Sequence, residues 1–196
     1  MQQKWLAMAA AIAVGVASGS IAQADGSAPA PQGSSSATPA PSASAAPASS
    51  TVDFTLETTA GKNESLSDYR GKVCVVFYED RHHVDTNLRV KDAVANYGAK
   101  NKLNDKVAII AVANLKGFGV EPAATIARKA IMGIAKAADI SIWFDWKGIV
   151  IDKLGVQDSN ANVVVVDKQG VIKWKKSGRL SDQEMKDLLA QVQASL

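Results

Sequence analysis

Lys72-Val-Cys-Val-Val-Phe-Tyr-Glu-Asp-Arg-His-His-Val-Asp-Thr-Asn87 is the stretch whose reading decides the fold. Val73 to Tyr78 is apolar without a break and rich in β-branched and aromatic side chains. A run of that length and composition predicts a strand buried on both faces, as at the centre of a helix-flanked sheet. The polar residues Glu79, Asp80, Arg81, His82 and His83 follow at once, and a helix is expected to open at Asp85 or Thr86, either of which can cap it. Ligands and catalytic groups in open α/β sheets gather just beyond the carboxyl ends of such strands. These five residues are therefore the candidate ligand or partner loop, and none of them is a cysteine.

Downstream, Val90, Val94 and Tyr97 recur at helical spacing and predict a sheet-facing stripe. Gly98 suits the position just past the helix end. Lys106 to Ala113 reads as a second apolar strand. Lying after a helix, it implies a right-handed β-α-β unit with parallel strands. Gly117-Phe-Gly-Val-Glu-Pro122 breaks the chain, and Pro122 can start a helix over about 123–137, with Ile126, Ala130, Ile134 and Ala137 on one face. Ile140 to Phe144 is a short strand, Asp145-Trp-Lys-Gly148 a turn, and Val150 to Gly155 a further apolar patch. Asn162 to Asp167 is the next strand. Lys168-Gln-Gly170 turns it back into Val171 to Lys175, an alternating and partly exposed hairpin partner. Lys173, Lys175, Lys176 and Arg179 read as a solvated edge that discourages strand-to-strand association. Ser181-x-x-Glu184 is a capping box opening a last helix with Met185, Leu188, Leu189 and Val192 on its buried stripe.

Upstream, Val52, Phe54 and Leu56 alternate with polar residues, as in a strand with one buried face. Ala60-Gly-Lys-Asn63 is turn chemistry, and Leu66 to Gly71 is a connector of about one helical turn. Residues 1–24 read as a secretory leader: Lys4 is the basic start, Trp5 to Val16 the apolar run, and Ala22-Gln-Ala24 the small-x-small cleavage site. The run is too short to span a bilayer comfortably, and no cysteine follows for lipid attachment, so no stable membrane anchor is expected after cleavage. Residues 25–50 hold five of the chain's six prolines among Ala and Ser. Such a segment has too little apolar surface to offset its ordering entropy and reads as a disordered tether. Residues 51–196 remain as one domain with a proper core. The expected destination is the periplasm or the exterior of a bacterium.

The resulting order is an α/β plan: a central mixed sheet flanked by helices, closed by a hairpin and a helix. Together with Phe54-x-Leu56, Leu66-Ser-Asp-Tyr-Arg-Gly-Lys72, Val75-Val-Phe-Tyr78 and Val163-Val-Val-Val-Asp-Lys-Gln-Gly170, it resembles the thioredoxin-like fold of peroxiredoxins and periplasmic thiol oxidoreductases. Gly155-Val-Gln-Asp-Ser-Asn160, Ile172-Lys-Trp174, Gly178-x-Leu-Ser-x-x-Glu184 and Thr86-Asn87 resemble more closely the YtfJ family of small exported thioredoxin-like proteins. The resemblance implies a thiol at the carboxyl end of the Val73 strand, where a helix N-terminus favours thiolate. It also implies a cis-proline just ahead of the Val163 strand. Neither is here. Residues 79–86 contain no thiol, and Asn160-Ala-Asn162 contains no proline. Cys74 lies inside the apolar run, where a thiol behaves as a small hydrophobe.

The chain carries 22 basic and 19 acidic residues for a formal charge of +3, which gives no electrostatic footprint for nucleic acid or anionic membrane. One cysteine excludes an internal disulfide, a two-cysteine redox motif and a cysteine-rich zinc site within one chain. His82 and His83 are the only histidines. With Glu79, Asp80 and Asp85 nearby they form the one imidazole–carboxylate cluster, an alternative metal site for zinc or copper. Trp143, Phe144 and Trp146 are core aromatics or, if exposed, an interface anchor. No phosphate loop or hydrolase arrangement is present. Three readings follow. The first is a non-catalytic exported module, without cofactor, that binds another exported protein or a small ligand through the 79–83 loop. The second is a thiol oxidoreductase or peroxidase using Cys74. The third is a metal-binding protein using His82 and His83.

Overall fold

The structure, a computed structural model, describes residues 51–196; the leader and tether expected over 1–24 and 25–50 lie outside the described residues. Its centre is β3, Val73–Glu79, buried at all seven positions. β4, Val107–Asn114, runs parallel to it, from the Val73/Val107 pair to the Glu79/Ala113 pair. On its other side lies β6, Asn162–Val166, antiparallel, with Cys74 opposite Val166 and Tyr78 opposite Asn162. β5, Ile142–Asp145, extends the parallel set beyond β4, and β1, Thr55–Thr58, pairs with it antiparallel. The sheet ends in two edge strands, β2 (Asn63–Ser65) beside β1 and β7 (Ile172–Ser177) beside β6.

Alternate residues of β3 feed two cores, as the period of a strand requires. Val73, Val75 and Phe77 meet α1 (Leu88–Lys100) through Val90 and Val94, and α4 (Asp182–Ala194) through Leu188 and Val192. Cys74, Val76 and Tyr78 face Phe54, Leu56, Leu66 and Trp143, together with α3 (Ile149–Leu154) through Val150 and Leu154. Each fully buried large apolar side chain here contributes about 1.5–3 kcal/mol. The connector ahead of β3 is one 3₁₀ turn, Leu66–Tyr69, capped by Ser65 with Asp68. Arg70 then lies across Gly170 and donates to the Val52 carbonyl at 2.9 Å. Gly170 has φ +87°, and a Cβ there would meet the Arg70 guanidinium carbon at 2.2 Å.

Several expectations are corrected. α1 starts at Leu88 with Asn87 at its cap, and it continues through Gly98 to Lys100. Of the stripe expected on α2 (Ala123–Ala138), only Ile134 is buried, with Ala135 and Ala138 beside it, whereas Ile126, Ala130 and Ala137 are exposed. Almost every face of this alanine-rich helix is apolar, so periodicity does not select the face that packs. Val150 to Leu154 is a helix rather than an undefined patch, and β2 adds a strand. Lys173, Lys175, Lys176 and Arg179 are exposed on and just past the β7 edge strand, as expected, and two of them are paired: Lys173 with Asp167 at 3.2 Å and Lys176 with Glu184 at 2.6 Å. Lys175 donates to the carbonyls of Leu154 and Gly155, closing the C-terminus of α3.

Candidate functional site

The register of β3, β4, β5 and β6 brings four polar residues to one end of the sheet: Glu79, Asn114, Asp145 and Asn162, all buried. Buried polar groups of this kind need partners, and the partners define the site. Asp145 accepts from the Tyr78 hydroxyl at 3.2 Å and from the backbone N–H groups of Ile149 and Val150 at 3.0 and 2.9 Å, so it starts α3 and anchors it to the strand end. Burial and the Asp145 carboxylate push the Tyr78 hydroxyl far above its usual range. Asn162 stands where the resemblance implies a cis-proline is followed by its strand. It donates to the carbonyls of Gln157 and Asn160 and accepts from the Gln157 N–H and the Ser177 hydroxyl. Among the described residues the cis peptide bond is Glu121–Pro122, ahead of α2. Asn114 and Lys116 share Asp158, each at 2.9 Å.

Glu79 is not a loop residue. It is the last residue of β3, 4% exposed, and its Oε2 accepts from the fully buried Lys91 of α1. Lys91 also donates to the Val84 carbonyl at 3.1 Å. Burial raises the Glu79 carboxyl to about 7 against the opposing pull of Lys91, with Asp85 and Asp80 adding to the rise.

The loop proper is 80–87. Asp80 organises it by accepting from the His82 N–H at 2.9 Å and bonding His83 Nδ1 at 2.6 Å. Arg81 stacks its guanidinium on Phe118, 5.0 Å from the ring centre, and its Nε donates to His82 Nε2 at 2.9 Å. Arg81 and His82 are exposed and His83 is half-buried. The loop's exit is pinned by Asn87, which donates to the Gly178 carbonyl and accepts from the Leu180 N–H. Arg89 adds bonds to the Leu180 carbonyl and to Asp182. The exposed guanidinium and imidazole can recognise carboxylates or backbone carbonyls. Among the described residues, no group of three or more His, Cys, Asp or Glu side chains is placed to hold a metal ion. The aromatic patch is mostly core: Trp143 and Phe144 are buried, Trp146 is half-buried, and Arg128 stacks on Phe144 and Trp146 while bridging to Glu57.

Cys74 lies at the opposite end of β3 from this loop. It is 2% exposed, and burial pushes its thiol up to about 11 against the weaker pull of Arg70 and Lys72. Lys91, Asn114, Asp145 and Asn162 were not singled out from the sequence. Three of them, Asn114, Asp145 and Asn162, are polar residues at the boundaries of apolar strands, a signal that was available. Nothing in the local pattern marks Lys91.

With this arrangement the class is defined: the domain has the thioredoxin-like fold, a mixed seven-strand sheet flanked by helices. No family model and no curated relative matches the chain. Solved structures do. A DsbF homologue from Corynebacterium diphtheriae is 16% identical with a TM-score of 0.56, over 74% of this chain and 85% of that one. The DsbF of Mycobacterium tuberculosis is 19% identical with a TM-score of 0.53, over 73% and 95%. The pneumococcal exposed lipoprotein thioredoxin Etrx1 from Streptococcus pneumoniae is 18% identical with a TM-score of 0.52, over 71% and 98%. At these identities the likeness carries the fold and leaves the chemistry to the residues.

Proposed function

We propose that this chain is an exported thioredoxin-fold protein that performs no thiol chemistry of its own and binds another exported protein through the 80–87 loop. The resemblance to the YtfJ family belongs to this reading, and so does export. One observation carries it: the end of β3 where the fold's redox thiol belongs holds Glu79 and a histidine-containing loop, while the single cysteine is buried at the other end of the strand. A thiol held at about 11 is almost wholly protonated at neutral pH and is a poor nucleophile. What the loop offers instead is a pre-formed surface, pinned at its exit by Asn87 and Arg89, with Arg81 and His82 outward. Pre-organisation of this kind lowers the ordering cost of binding.

Site-specific photo-crosslinking in the producing cells tests this. A photoreactive residue at position 82 should trap a discrete exported protein that the same residue at position 169, exposed in the turn at the far end of β6, does not trap. Identical adduct patterns from both positions, or none from position 82, would contradict the reading.

A further inference from the structure

Away from the 80–87 loop, one side chain ties α2 to the sheet through a built arrangement. Arg128 donates from Nη1 and Nη2 to Oε1 and Oε2 of Glu57 on β1, at 2.5 and 2.8 Å. Its guanidinium carbon lies 5.1 Å from the Phe144 ring centre and 5.3 Å from that of Trp146. The two ring centres are 5.7 Å apart, with 32° between the planes. Glu57 and Phe144 face each other in the β1–β5 ladder, and Trp146 follows just past the end of β5. The sheet side therefore supplies a carboxylate and two ring faces around one planar cation. That set selects a guanidinium, which bonds the carboxylate through two N–H groups and stacks on the rings. Only the cation comes from α2.

The half of α2 that carries Arg128 is lightly held. From Ala123 to Gly133 no residue is buried, and the buried ones, Ile134, Ala135 and Ala138, all follow Gly133. Val120, just ahead of this half, is 75% exposed and Ile126 within it 65%. Gly133 lies inside the helix with open space where a Cβ would stand, so no close packing requires a glycine there, and a glycine weakens a helix where it sits. Water also reaches the contact: the Arg128 and Glu57 side chains are 38% and 37% exposed.

We propose that Glu57, Phe144 and Trp146 form a guanidinium-binding cage that Arg128 fills from within the chain, and that an external arginine can replace Arg128 and release the first half of α2 about Gly133. The cage is separate from the 80–87 loop and does not depend on the reading of that loop. Replacing one guanidinium by another leaves the carboxylate paired and the rings covered. What is given up is the attachment of a helix half that buries no side chain fully, the kind of segment that opens locally at small cost.

The probe is N-acetylarginine amide, with N-acetyllysine amide at equal ionic strength as its control. In Arg128→Ala the cage is empty, and the arginine probe should move the Trp146 indole N–H resonance saturably. The lysine probe should bind about tenfold more weakly, the loss expected for one charge-assisted hydrogen bond. Adding Glu57→Gln to Arg128→Ala should remove that preference. In the wild type the arginine probe competes with Arg128, so its titration should shift to higher concentration. As it proceeds, exchange protection of the Ile126 N–H, bonded to the Pro122 carbonyl, should fall, while that of the Ile140 N–H, bonded to Ala135 beyond Gly133, should hold. Free arginine is a further arm: binding tighter than the amide assigns the cage to the free amino acid, and weaker binding assigns it to arginine within a chain. No saturable shift in Arg128→Ala, equal binding of the arginine and lysine probes, or wild-type Ile126 protection that stays fixed under the arginine probe would each overturn the proposal. If Arg128→Ala does not fold, the wild-type titration decides: a Trp146 shift with loss of Ile126 protection supports the cage, and a Trp146 resonance that never moves removes it.

Discussion

At one end of β3, Cys74 lies beside Ala108 and Val166 with Phe54 and Leu66 in its core; at the other, Glu79 lies beside Ala113 with Lys91 across it. Burial acts in the same direction on both, raising the thiol to about 11 and the carboxyl to about 7. The ends differ in what answers that burial. Cys74 needs no answer, because a protonated thiol packs as a hydrophobe. Glu79 does, and a buried cation supplies it on one oxygen. The carboxyl end of β3 thus holds a buried ion pair, and Cys74 at the other end sits among apolar side chains. On the proposed reading, a thioredoxin-like backbone is used here without thiol chemistry.

The comparison can be broken most forcefully at the charged end. Lys91→Met removes the one hydrogen-bond partner of the buried Glu79 carboxyl and should cost about 3–5 kcal/mol in urea unfolding at pH 8, where the wild-type pair is ionised. Asp145→Ala strips the Tyr78 hydroxyl and two helix-start N–H groups of their acceptor and should cost about 3 kcal/mol, with loss of exchange protection confined first to α3. At the apolar end, Cys74→Ser puts a hydroxyl among hydrophobes and should cost only about 1–3 kcal/mol. A larger loss for Cys74→Ser than for Lys91→Met would invert the comparison. The smallest effect is expected at the surface. Lys176 and the Ser181 cap hold the Glu184 carboxyl down to about 2, so its share of stability is present above 4.5 and fades as pH falls through 2. Lys176→Gln should make that acid-side slope shallower in thermal melts. Glu79 has the opposite sign, its share being full below 4.5 and lost as pH rises through 7.

Much of the fold was legible because strands and helices announce themselves by period. The unbroken β3, the Val90/Val94 stripe, the β6–β7 hairpin and the Ser181/Glu184 capping box all stand where the pattern puts them. α2 was misread because its alanines give no single apolar face, and α3, with six residues, is too short for a period to register. The site was half legible. The polar loop after β3 is visible in the sequence, but nothing there separates Glu79 from it. Its burial depends on Lys91, whose charge is neutralised by a contact between two elements, and no local pattern reports such a contact. Asn162 and Asp145 differ from Lys91 in standing at the boundaries of apolar strands, which the sequence displays, but what each holds there depends on groups distant from that boundary.

The account stands on Cys74 being closed to solvent and its thiol protonated. The direct measurement is the rate at which a small disulfide reagent modifies Cys74 in the folded chain, compared with the same chain in denaturant, across pH 7 to 10. Modification at least about a hundredfold slower in the folded state, rising with pH as expected for a depressed thiolate population, is the predicted result. A folded-state rate near that of the denatured chain at pH 7, together with hydroperoxide or disulfide turnover that disappears in Cys74→Ser, would contradict the account and make this chain a thiol enzyme.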